Sequence, residues 1–277
     1  MTDRVAVASL IRVGRQPPEP AQDLVAVEAP LAIDLRSEST AAPRSLGVFM
    51  RTPGDDHDFV LGLLYAEGII RTAEDVQSIA RRPAASDALA DTMDITLAPR
   101  VGLPPPWNAR AVLTSSACGL CGRLALEGLD RRASGSAPSP PLRVTPDMIS
   151  MMPSALRERQ AAFAETGGLH AAGFFDATGR VLSVREDVGR HNAVDKLIGA
   201  ALATGDLPAR HLCLIVSGRV AFEIVQKAAM AGVPILVAVG APSSLAIDAA
   251  RASHVTLIGF ARDGRFNVYA GQERIQT

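Results

Sequence analysis

The spacing of apolar positions changes several times along the chain, and each change marks an element. Leu31 to Leu35 and Leu46 to Met50 alternate or run apolar as strands do. Thr52-Pro53-Gly54-Asp55 then reads as an N-cap, a proline at the first helical position and an acid at the third. The helix it predicts carries Phe59, Val60, Leu63 and Leu64 inward and fades at Gly68. Thr72-Ala73-Glu74-Asp75 repeats the capping pattern for a short second helix, and Met93 to Leu97 and Arg110 to Thr114 read as strands. Thr145-Pro146-Asp147 opens another helix, disturbed at Pro153 and stopped by Gly167-Gly168. His170 to Asp176 and Val181 to Val188 form a hairpin. Beyond it come helix 191–203, strand 211–216, helix 219–231, strand 233–239, helix 244–252 and strands 255–260 and 266–270.

This order predicts an α/β fold. Strands and helices alternating at such spacing give a sheet with parallel members, covered by helices on both faces, behind a smaller N-terminal α/β lobe. Residues 1–22, with Pro17, Pro18 and Pro20 and little periodicity, read as a flexible arm. The N-terminal lobe spans 23–114 and the C-terminal lobe 143–277. Between them, 115–142 forms a cysteine-containing loop and a linker rich in serine, alanine and proline.

Charge and composition narrow the function classes. With 28 Lys+Arg against 29 Asp+Glu, the formal charge of -1 supplies no excess of cations for long nucleic acid, and 4% aromatics leave few rings for stacking bases. The longest apolar stretch, 228–241, contains Gly232 and Pro234 and falls short of the roughly 20 residues a bilayer span needs. Three cysteines are too few for a disulfide framework, and an odd number fits a reducing, cytoplasmic setting.

Three features carry candidate chemistry. Cys118-Gly119-Leu120-Cys121-Gly122 precedes the helical pattern Leu124, Leu126, Leu129. A helix start stabilises thiolate, and the glycines leave the sulfurs accessible, so a nucleophilic cysteine fits. Half a zinc site or two ordinary buried thiols fit as well. Cys213, inside an apolar run, reads as a small core residue. No histidine has a glutamate two positions on, which excludes a zinc deaminase. The second feature is the polar run Arg185 to Lys196, between a strand and a helix. There His191 can take part in proton transfer and Arg190 can pair with phosphate or a carboxylate, or the run is a helix start with a solvated ion pair. The third is a set of loops at strand ends: Ser217-Gly218-Arg219, Gly240-Ala241-Pro242-Ser243 and Phe260-Ala261-Arg262-Asp263-Gly264-Arg265. In an open α/β sheet such loops bind ligands, though neither standard nucleotide fingerprint is present and plain turns remain an alternative.

In combination and order, Cys118 to Gly122, Thr166-Gly167-Gly168-Leu169-His170, Arg185 to Lys196, Ser217-Gly218-Arg219 and Gly259 to Tyr269 resemble the FdhD family, accessory sulfurtransferases of formate dehydrogenase. Met50 to Asp55 and Glu67-Gly68-Ile69-Ile70 belong to the same resemblance. It implies a fold similar to cytidine deaminases, without their zinc. It also implies a cytoplasmic sulfur carrier that takes sulfane sulfur from a cysteine desulfurase and passes it to the molybdenum bis-molybdopterin guanine dinucleotide cofactor before insertion into formate dehydrogenase. Cys118 would bear the persulfide, with Cys121 as its partner. Phe260, Ala261, Arg262, Asp263, Gly264 and Arg265 would bind the cofactor, Arg262 and Arg265 facing its pyrophosphate, and GDP can occupy the same site. The two guanine nucleotides of the cofactor suit a homodimer with one site per protomer. The chain departs from the family pattern at Ala221, where serine is expected, and at Ser243, where threonine is. The competing classes are a non-enzymatic chaperone that binds cofactor or apo-enzyme with structural or redox thiols, and a disulfide reductase.

Overall fold

The computed structural model describes residues 4–14, 17–37, 42–84, 90–103 and 142–276, which form three sheets and six α-helices. In the N-terminal lobe, β3 (Ala29–Arg36) pairs antiparallel with β4 (Arg44–Arg51) and parallel with β6 (Asp91–Leu97), and β6 pairs antiparallel with β5 (Val76–Arg82). Strand periodicity puts Leu31, Ile33, Leu35, Met93, Ile95 and Leu97 on one face, where they pack against Phe59, Val60, Leu63 and Leu64 of helix α1 (Asp56–Ala66). These are the inward positions the sequence indicates.

The elements differ from expectation in three places here. Helix α1 starts at Asp56, and Asp55, in a left-handed conformation (φ 54°), takes the cap position. Thr52 is no cap, because its hydroxyl accepts the backbone N–H of Val188 from the other lobe. At 73–75 there is a single 3₁₀ turn instead of a helix: the Asp75 carboxylate accepts the N–H groups of Arg71 and Thr72, as a capping acid does, but β5 begins directly after it. The arm expected at 1–22 is a strand ribbon, in which β1 (Val5–Arg12) and β2 (Glu19–Ala26) pair antiparallel across the whole of both strands. Val7, Ile11, Leu24 and Val25 are exposed although apolar, so the alternating burial of β1 is not matched by an alternation of polar and apolar residues that the sequence could show.

The C-terminal sheet has six strands in the order β12-β11-β10-β9-β7-β8. β9 (Cys213–Val216), β10 (Ile235–Ala238) and β11 (Thr256–Arg262) are parallel. β7 (His170–Phe175), β8 (Val181–Asp187) and β12 (Arg265–Ala270) complete the sheet by antiparallel pairing. β9 and β10 are buried at every residue because both faces are covered. Leu214, Val216, Leu236, Ala238 and Leu257 pack under α4 (Arg190–Thr204), α5 (Phe222–Met230) and α6 (Ser244–Ala252). Cys213, Ile215, Ile235, Val237 and Ile258 pack against Met148, Ile149, Met152 and Leu156 of α2 (Pro146–Glu158). Thr145 caps α2, which runs through Pro153 and ends at Glu158, so the single helix expected from Thr145 to Gly167 is two, the second being α3 (Ala161–Thr166), which ends at Gly167 with φ 66°. Cys213 is fully buried, and burial pushes its thiol up to about 12. A core role fits it and nucleophilic chemistry does not.

The lobes meet where α1 crosses α4. A Cβ on Gly62 would lie 1.8 Å from the Asp195 carbonyl oxygen, and one on Gly199 equally close to that of Asp58. The two backbones are therefore in direct contact, a spacing only glycine permits.

Candidate functional site

The C-terminal ends of β9, β10 and β11 lie along one edge of the sheet, and the antiparallel β7 begins at that edge with His170. The loops that follow β9 and β10 are bonded to each other and to the last residues of β11 through their backbones. Gly240 N–H donates to Gly218 O at 3.1 Å, Val220 N–H to Ala241 O at 3.0 Å, and Phe260 N–H to Gly240 O at 3.1 Å. Gly240 is required by this approach: a Cβ there would stand 2.8 Å from Gly218 O. The three loops singled out in the sequence are thus one continuous structure, at the edge where open α/β sheets accommodate ligands.

β8 reaches the same edge and hands over to α4, so the polar run Arg185 to Lys196 is split between strand, turn and helix. Part of it is a buried joint between the lobes. Lys196 Nζ lies 2.7 Å from Asp187 Oδ2, with both side chains wholly buried, and donates to Thr52 O at 2.8 Å. Asp187 also accepts from Thr52 N–H, Gly189 N–H and Asn192 Nδ2, and Asn192 donates in turn to Met50 O. Arg185 pairs with Asp58 of α1, and Glu186 accepts the first N–H groups of α3. Burial lowers Lys196 from its usual value, partly opposed by Asp187. The ion pair found in this run is thus dry and joins residues nine positions apart, in place of the solvated i,i+4 pair expected beside a capped helix start, and the cap residue Gly189 has no side chain to bond. The sequence hides it because the partners are nine positions apart on different elements, and no spacing rule joins them to Thr52.

The remainder of the run faces the loops. Arg190 and His191 form the first turn of α4, beside Ser217, Gly218 and His170. Ser217 Oγ accepts the Ala171 N–H at 2.9 Å and lies 3.4 Å from His170 Nδ1. Both histidines are lowered from their ordinary 6.5 by burial first and by Arg190 second, His191 to about 4. Both shifts favour the neutral imidazole, which donates through one ring nitrogen and accepts through the other.

Phe260 to Arg265 is a hairpin tip, not a free loop. Phe260 (φ 54°) is exposed, Ala261 is buried in the core beneath, and Arg262 pairs with Arg265 across the turn formed by Asp263 and Gly264, both at positive φ. The Arg262 guanidinium carbon lies 5.8 Å from the centre of the Phe260 ring. Both arginines are exposed at the tip, where they can meet an anion. Ala221 occupies the N-cap of α5 without a side-chain bond, whereas Ser243 caps α6 by accepting the Ala246 N–H at 3.2 Å. Cys118, Cys121, the strand expected at 110–114 and the linker lie outside the described residues. Among the described residues no helix is long and apolar enough to cross a membrane.

Comparison with known proteins gives a consistent picture. The model of the FdhD/NarQ family matches residues 26–276. Proteins named sulfur carrier protein FdhD from Streptomyces coelicolor and Nocardia farcinica are 45% and 48% identical, over 91% and 92% of this chain and 89% of each relative. One of the same name from Mycobacterium tuberculosis is 43% identical, over 91% of this chain and 92% of its own. Among solved structures, one described as a formate dehydrogenase accessory protein from Desulfotalea psychrophila superposes with a TM-score of 0.74 at 24% identity, covering 99% of this chain and 100% of that one.

Proposed function

This chain belongs to the FdhD/NarQ family, and from that membership we propose that it is a sulfur carrier in the maturation of formate dehydrogenase. The observation that carries the reading is a family match across nearly the whole chain, with relatives named for this role. In the finer form of the proposal, the Cys118 thiolate attacks the outer sulfur of a persulfide on a cysteine desulfurase. A new S–S bond forms on Cys118, the old one breaks, and the desulfurase cysteine leaves as thiolate. Delivering that sulfur as sulfide needs two electrons. Cys121 supplies them by attacking the inner sulfur, which closes a Cys118–Cys121 disulfide and frees sulfide for the molybdenum of the bis-molybdopterin guanine dinucleotide substrate. A cellular thiol reductant then restores both thiols.

The sheet edge is the proposed seat of that substrate, with Phe260 to Arg265 as its binding loop. Its bonded loops, glycine approaches and exposed Arg262 and Arg265 support this, since a pyrophosphate needs both room and positive charge. A cytoplasmic homodimer with one nucleotide site on each protomer completes the proposal. Incubation with a cysteine desulfurase and cysteine is expected to add one reductant-labile sulfur to Cys118 by mass spectrometry, and Cys118→Ser to abolish the gain. An unmodified Cys118 in a protein that still matures its target overturns the mechanism. Stoichiometric zinc on Cys118 and Cys121 would instead favour a chaperone.

A further inference from the structure

The last turn of α4 lies roughly 20 Å along the helix from the first, and so well away from the edge proposed to seat the substrate. There the end of α4, the strands β7 and β8 and the loop 206–212 line a cavity of about 410 Å³, a size at which small-molecule sites occur. Much of its lining is apolar. Phe174 and Ala201 are buried beneath it, Leu212 is half-buried, and Leu182 is exposed against it. The charges around it are of both signs. Arg185 is already committed, since its Nε and Nη2 hold Asp58 of α1 at 3.1 and 2.8 Å. Arg210 and His211 are not: neither side chain has a hydrogen-bond or ion-pair partner among the described residues. Asp206, four positions before Arg210, accepts the Thr204 hydroxyl but has no cation beside it among the described residues. It also stands just past the end of α4, which has no basic residue in its last turn, and that is the end where the helix dipole favours positive charge. The cavity thus carries two unmet demands, one for an anion and one for a cation.

A simple anion would meet Arg210 but be repelled by Asp206, and a simple amine would suffer the reverse. A ligand with both charges on neighbouring atoms and an apolar body answers every side of the cavity. We propose that it binds a free α-amino acid with an apolar side chain. Arg210 and His211 take the carboxylate, Asp206 and the end of α4 take the ammonium, and Phe174, Leu182 and Leu212 receive the side chain. This site stands on its own residues and does not depend on the sulfur-carrier reading.

Calorimetry on the full chain tests this with leucine as the probe. Isocaproate lacks the ammonium, leucinamide the carboxylate and glycine the side chain, and each should bind at least about tenfold more weakly than leucine. Asp206→Asn and Arg210→Gln should each weaken leucine by about tenfold or more and keep the parent circular dichroism, since neither side chain is buried. The two variants also divide the analogues between them. Asp206→Asn removes the repulsion of isocaproate and should not weaken it, while Arg210→Gln should not weaken leucinamide. If one variant misfolds, the other with its own analogue decides the matter. Isocaproate or leucinamide bound as tightly as leucine overturns the proposal. So does leucine binding that a folded variant leaves unchanged, and so does the absence of leucine binding to the parent protein at millimolar concentration.

Discussion

Asp187 with Lys196 and Arg190 with His191 stand within one short polar run, yet they have opposite fates. The first pair is wholly buried, and all four of its neighbours in the joint, Thr52, Gly189, Asn192 and Met50, are drawn into one hydrogen-bonded network. The second pair, part exposed, keeps two buried polar atoms without partners. Burial of charge is therefore not what separates structure from function here; satisfaction of the buried groups is. The saturated network holds the lobes together, while the second pair carries the cost of unpaired buried groups.

The sharpest way to break this contrast is Lys196→Met. It leaves Asp187 charged in a dry site and should cost about 3 to 5 kcal/mol in denaturant unfolding, with Asp187→Asn in the same chain restoring part of the loss. A loss below about 1 kcal/mol would mean that water reaches the joint and that the two pairs are less different than they look.

His191 offers a subtler handle, through pH. Its pKa is held at about 4 in the folded chain against 6.5 when free, so below pH 6.5 the unfolded chain takes up a proton that the folded one refuses. Stability should fall as pH drops from 6.5 towards 4, and His191→Asn should remove that part of the fall. Arg190, Lys227, His170 and Glu223 act on the ring, so the comparison of parent and variant in phosphate-free buffer isolates it. Coincident stability profiles would show the imidazole to be solvated like a surface histidine.

The smallest effect belongs to the uncapped start of α5. Ala221→Ser supplies the missing acceptor that Ser243 already provides for α6, and should stabilise the chain by about 1 kcal/mol in thermal or chemical unfolding. No gain would indicate that the first turn of α5 is already satisfied by another group.

Much of this was legible in the sequence where one element suffices to specify the answer. The apolar runs at 213–216 and 235–238, the hairpin at 170–187 and the stop at Gly167 depend on local period and backbone preference, and the structure has them where the pattern puts them. The loops at Ser217, Gly240 and Phe260 were legible as strand ends, and the parallel order aligned them. What escaped depends on distant partners. Thr52 looks like a cap until Val188 claims its hydroxyl, and the ribbon at 5–26 looks like an arm because both its faces keep apolar residues in contact with solvent. Lys196 ends a polar run whose spacing gives no hint that its partner is Asp187, nine positions back. Each of these is fixed by tertiary contact, which hydrophobic period does not record.

The crossing of α1 and α4 at Gly62 and Gly199 has a consequence for how the molecule comes apart. A layer of side chains between two helices can loosen by degrees, but here none intervenes. Separating the lobes exposes two helix backbones at once and breaks the Asp187–Lys196 pair in the same movement. Loss of one lobe is thereby loss of the other, and the sheet edge proposed to seat the substrate, which borrows its first helical turn from α4, survives only as long as the whole chain stays folded.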